Sequence, residues 1–126
     1  MSRFVSSVKV TLNNAASSNV LVGQKVRLLG VQYYIKDNAG SGTPPQRAIG
    51  NRDIKMQDSA GNNLFRFVVT DRGASGYGTS QQPFSLMFRN CSIVFHDGIH
   101  FVNIATSGTQ HPTPADIQVT VFYEGG

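Results

Sequence analysis

Apolar side chains recur at every second position along most of this chain, and the alternation is densest between residues 84 and 104. Phe84, Leu86 and Phe88, then Ile93 and Phe95, then Ile99 and Phe101 keep the two-residue period of a β-strand, whose successive side chains point to opposite faces. Asp97-Gly98 lies between the last two runs. Both residues tolerate positive φ, so a two-residue type I′ turn is predicted, with Ile93 to Ile104 folding back on itself as a hairpin.

The same reading extends to both ends. Val8, Val10 and Leu12 alternate with Ser7, Lys9 and Thr11, which predicts a half-buried strand over Phe4 to Leu12. A polar break at 13–19 follows. The apolar stretch from Val20 to Ile35 is interrupted by Gly23 and Gly30, so it reads either as two short strands or as one strand bent by a bulge at Gly30. Strands are expected at Asp53 to Gln57 and Leu64 to Thr70, joined by a turn at Asp58 to Asn63 whose Asp, Gly and Asn residues suit left-handed backbone. Leu64, Arg66 and Val68 face one way and Phe65, Phe67 and Val69 the other. Apolar groups on both faces place that strand near the middle of a sheet. A polar break spans Ser107 to Ala115, and Asp116 to Tyr123 forms the last strand, expected to be paired.

Eight or nine short strands, no helical period, and turn signals about every ten residues define the expected class. The chain should be a single-domain, all-β, antiparallel β-sandwich over residues 1–126, jelly-roll-like, with about eight strands. Residues 2–5 form a possible N-terminal arm. Residues 37–51 and 71–83 have no period, and loops of that length in a compact domain tend to carry function.

Composition narrows the function more than the fold. At 126 residues the chain can bury a core without disulfides, and its one cysteine, Cys91, sits among apolar neighbours and reads as a buried free thiol. The start shows no signal peptide, and no run is long enough to span a membrane. Eleven basic and seven acidic residues give a net charge of +4, but the basic residues are scattered, unlike a nucleic-acid footprint. Few charges and many Ser, Thr, Asn, Gln and Gly residues suit a surface that rests against other proteins.

No stretch names a reaction. His96, Asp97 and His100 are the one group resembling metal ligands, and across a tight turn their side chains diverge, so no metal and no cofactor is expected. The serines lack a nucleophile-elbow motif, and the six aspartates and Glu124 show no pairing pattern for glycoside chemistry. The Gly-rich segment 73–78 leads into neither a helix nor the Lys of a phosphate loop. No catalytic residue is assigned and no enzyme activity is expected. Arg72 and Tyr77 on the 71–83 loop, Arg47 on the 37–51 loop, and Arg3 and Phe4 on the arm are the candidate partner-interface residues, because Arg and Tyr contribute disproportionately at interfaces.

Taken together, the start without a signal, the Gly- and Asn-rich turns, the long Ser/Gly/Pro loops and the ending Val119-Thr120-Val121-Phe122-Tyr123-Glu124-Gly125-Gly126 resemble the small all-β virion proteins of tailed bacteriophages, of the capsid decoration or cement type. The likeness is one of pattern over most of the chain, so no functional residue carries over. It implies a homo-oligomer, with a trimer favoured, made in the host cytoplasm and bound to a major capsid protein or other virion protein on the capsid exterior. Two alternatives stand beside it. A carbohydrate-binding, lectin-like or receptor-binding sandwich would use Tyr33, Tyr34 or Tyr77 as a stacking platform, and a single-strand nucleic-acid binder would stack bases on the same tyrosines.

Overall fold

A computed structural model describes residues 5–12, 18–36, 49–70, 84–110 and 116–125. They form nine strands: β1 (Ser6–Leu12), β2 (Ser18–Val20), β3 (Val26–Lys36), β4 (Ile49–Gln57), β5 (Asn63–Thr70), β6 (Phe84–Met87), β7 (Ile93–Phe95), β8 (Ile99–Gln110) and β9 (Asp116–Gly125). All pair antiparallel in two sheets. One has the order β1-β9-β3-β6, with β7 also on β3, and the other the order β2-β8-β4-β5. β6 lies opposite residues 30–33 of β3 and β7 opposite residues 26–28, so the two short strands occupy one lane of the sheet in succession. Eight lanes result. The chain crosses between sheets from β1 to β2, β2 to β3, β3 to β4 and β5 to β6, and again at both ends of β8, which is the jelly-roll-like sandwich expected.

The core lies between the sheets. Val10 and Leu12 of β1 face it beside their cross-strand partners Val119 and Ile117, and Ile54, Met56 and Phe101 cover it from the other sheet. β3 shows how the sequence accommodates a change of face. Val26 and Leu28 point inward at even positions, whereas Val31 and Ile35 point inward at odd ones. A register shift against β9 between Leu28 and Gly30 supplies the extra residue. The bulge is therefore what lets both apolar sets reach one core.

Gly30 is required there by space. A Cβ would lie 2.3 Å from Met87 Sδ and 2.6 Å from the Leu86 carbonyl oxygen. The methionine tip can swing aside, but the carbonyl belongs to β6. Gly30→Ala is expected to lower stability by about 1–3 kcal/mol, as overpacking does, read as a lower urea midpoint. An unchanged midpoint would mean that β6 does not seat against β3 as described.

The turn at Asp58 to Asn63 is a hairpin, as its sequence predicts, with Met56 opposite Phe65 and Gln57 opposite Asn63. Asp58 Oδ1 accepts from the Ala60 N–H (3.0 Å) and the Asn62 N–H (2.8 Å), while Asn62 Nδ2 donates to Asp58 Oδ2 at 3.0 Å. Gly61 supplies a φ of +89°. The hydrogen bonds from the Asn62 side chain and backbone hold the Asp58 carboxyl below its usual range, so this support is complete at neutral pH and fades as pH falls.

Residues 49–51 of the expected 37–51 loop belong to β4, and residues 107–110 of the expected polar break belong to β8, because each pairs across the sheet with the other strand. Three further expectations are corrected. Asp97-Gly98 is a corner between sheets, because β7 pairs with β3 in one sheet and β8 pairs with β2 and β4 in the other. Type I′ geometry needs two residues of positive φ, and here only Gly98 (φ +79°) has it. The second correction concerns β5, which is the edge of its sheet rather than its middle. Phe65, Phe67 and Val69 pack toward the core, whereas Leu64 and Val68 stay exposed on the other face. Third, Cys91 is exposed. It follows Asn90, whose φ of 57° breaks the chain between β6 and β7, so the apolar neighbours turn inward without it.

Candidate functional site

Two surfaces of the sandwich carry organised chemistry. The first is the outer face of the β2-β8-β4-β5 sheet. Because β5 alternates apolar residues on both sides, its outward set faces solvent: Leu64 is 36% and Val68 47% exposed. Asp53 of β4 sits between Val68 and Ile104 in register, and Ile104 is 41% exposed. Arg66 reaches diagonally to Asp53, with Nε 3.0 Å from Oδ1. The result is an apolar stripe crossed by one ion pair, ending at a strand edge that has no partner strand among the described residues. An unpaired edge beside exposed aliphatic side chains is a template for another protein surface.

The second surface is an open cleft of about 430 Å³ at one end of the sandwich. Three connections build it: the β2–β3 loop, the β4–β5 turn and the Asp97-Gly98 corner. The corner is tied to the loop, since the Gly23 N–H donates to Asp97 Oδ1 at 3.0 Å and the Gly98 N–H to the Gln24 carbonyl at 2.8 Å. Leu21, with a φ of 56°, turns that loop toward Gly98 and accepts from the Gln24 N–H at 3.1 Å. On the floor, His100 of β8 and Asn19 of β2 are cross-strand partners, and His100 Nδ1 is hydrogen-bonded to Asn19 Oδ1.

The sequence-based candidates Arg3, Phe4, Arg47, Arg72 and Tyr77 lie outside the described residues, as do residues 2–4 of the arm; Val5 is exposed. Tyr33 is not available as a stacking platform. Its ring faces inward and stacks on Phe67 of the opposite sheet, with centroids 5.2 Å apart and planes 16° apart, and burial raises its phenol above the usual value. Tyr34 points the other way, and its hydroxyl donates to Gln118 Oε1. Asp97 and His100 line the cleft, whereas His96 is exposed outside its lining. Among the described residues no three His, Cys, Asp or Glu side chains converge as metal ligands.

Both surfaces depend on pairings that sequence spacing does not reveal. Ile104 and Val68 are 36 positions apart and meet only through β4, and the cleft joins residues from 19 to 100. The signal available in the sequence was the two-sided apolar pattern of β5.

No protein-family model and no curated protein sequence matches the chain. Among solved structures, the capsid asymmetric unit of cyanophage Pam1 is similar at 14% identity and a TM-score of 0.44, over 96% of this chain and 83% of that one. The VP2 subviral particle of infectious bursal disease virus is similar at 16% identity and a TM-score of 0.40, over 99% of this chain and 31% of that one.

Proposed function

We propose that this chain is a non-enzymatic virion structural protein of the capsid decoration or cement type, which binds the exterior of a phage head and stabilises it. The observation that carries this reading is the outer face of the β2-β8-β4-β5 sheet, where Leu64, Val68 and Ile104 lie exposed beside the edge of β5, which has no partner strand among the described residues. A jelly-roll-like strand order and the sequence resemblance support it. Reinforcing a shell requires a rigid body and contacts repeated many times, so modest affinity per site accumulates through multivalency. The partner would be a major capsid protein. A trimeric assembly, and contacts from Arg3, Phe4, Arg47, Arg72 and Tyr77, belong to the same proposal.

The test is co-sedimentation of the purified chain with empty head shells of the phage that encodes it. Val68→Asp and Ile104→Asp place a charge on exposed positions and should leave the fold intact, as judged by circular dichroism. Each is expected to weaken shell binding about tenfold or more, the loss typical of a central interface residue. Shells that ignore the unaltered chain, or bind both variants as well as the original, would overturn the proposal. Light scattering should give a mass near three chains of 13.6 kDa.

A further inference from the structure

We infer that the cleft between the β2–β3 loop, the β4–β5 turn and the Asp97-Gly98 corner is a binding site for a neutral saccharide of one or two rings. Its volume of about 430 Å³ falls within the range of small-molecule sites. The chemistry of its lining selects the ligand class. Among the described residues that line it are two carboxylates and no Lys or Arg, so a phosphate or a nucleic-acid backbone would meet charge of its own sign.

A sugar hydroxyl both donates and accepts, and the lining offers both functions. The Asn19 Oδ1 atom can only accept, so the hydrogen bond between it and His100 Nδ1 is donated by the imidazole. That leaves the ring's Nε2 and the Asn19 amide nitrogen to meet the hydroxyls of a ligand. Asp97 uses Oδ1 for the Gly23 N–H and presents Oδ2 as a further acceptor. Gln57 donates through Nε2 to Asn63 Oδ1 at 2.7 Å, which orients its carbonyl oxygen as another. Ser59, exposed on the turn, adds a hydroxyl. Val22, which is 69% exposed, supplies an aliphatic surface for the C–H face of a sugar ring.

These groups are held in place before any ligand arrives. Asp58 is saturated by the backbone and side chain of its own turn, so it fixes the cleft wall, and Gly98 is tied to the Gln24 carbonyl. Rigid polar groups lose little entropy on binding, which is how a shallow site gains affinity for a weakly hydrophobic ligand.

The experiment is a ¹⁵N-resolved NMR titration of the full chain with D-glucose, D-galactose, D-mannose and N-acetylglucosamine at millimolar concentrations, with inorganic phosphate as the anionic comparison. At least one sugar is expected to shift amide resonances confined to residues 19–22, 57–61 and 97–100, and phosphate none of them. Asp97→Asn keeps an oxygen for the Gly23 N–H but replaces an acceptor by a donor, and should weaken that binding about tenfold, the loss of one charge-assisted hydrogen bond. Gln57→Ala, on a separate element, should weaken it as well. No shift with any sugar, shifts equally strong with phosphate, or affinity unchanged in both variants would overturn the inference. Shell binding is read separately and does not bear on it.

Discussion

Gly98→Ala is expected to destabilise the protein by about 3 kcal/mol, a large share of the roughly 5–15 kcal/mol that holds a domain folded. Two effects add. Gly98 has a φ of +79°, a left-handed backbone that costs an L-residue about 1–2 kcal/mol. The added methyl would also lie 2.7 Å from the Leu21 carbonyl oxygen, 2.9 Å from the Leu21 carbonyl carbon and 2.9 Å from the Val20 carbonyl oxygen. All three are backbone atoms and cannot rotate away, so either the corner or the β2–β3 loop must move. Overpacking of this kind costs about 1–3 kcal/mol. Gly61→Ala provides the comparison, since Gly61 has a φ of +89° and nothing within 4 Å of its added Cβ. It should show the strain without the clash, about 1 kcal/mol. Urea midpoints of the two variants measure the difference. Equal losses would show that the corner does not dock on the loop.

The second large effect is expected at Arg52, which is 1% exposed on the inward face of β4. Burial pushes its guanidinium below its usual range, yet it is partnered within the fold. Arg52→Ala removes a long side chain from the packed interior together with the interaction its guanidinium makes there. The expected loss is about 3–5 kcal/mol, the cost of breaking a buried charged interaction. Arg52→Met retains most of the volume and removes only the charge and the interaction it makes, so it should lose less, about 1–3 kcal/mol. Thermal and urea unfolding of both variants separate packing from polar pairing. If alanine and methionine are equally harmful, packing contributes little; if neither changes the midpoint, Arg52 is not buried as described.

The hydrophobic pattern made most of the strands legible. Val8, Val10 and Leu12, or Ile117, Val119 and Val121, need no partner to be recognised as one face of a strand, because the two-residue period is a property of the backbone itself. Turn chemistry was equally readable where it is local. Asp58, Gly61 and Asn62 make their hydrogen bonds within five residues, and the hairpin they predict is the one that forms. Arg52 was not legible: a charged residue at an inward position of an alternating strand reads as a solvent-facing one, and its burial follows from the opposite sheet covering it.

Asp97-Gly98 marks the boundary between the two kinds of information. The dipeptide announces a sharp reversal, and Gly98 does adopt positive φ, but a reversal does not specify which sheet the next strand joins. That choice rests on distant backbone: Gly23 and Gln24 hold the corner, while β2 and β4 flank β8. β5 follows the same logic. Its sequence declares two apolar faces, and only the packing of the second sheet decides that Phe65 and Phe67 go inside while Leu64 and Val68 remain at an exposed edge. The sequence by itself determined most of the strands, the Asp58 to Asn63 turn and the β class, because these depend on neighbours within a few residues. Tertiary structure decided strand order, the outer apolar face and the cleft, because each depends on surfaces that meet only after the chain has crossed between sheets.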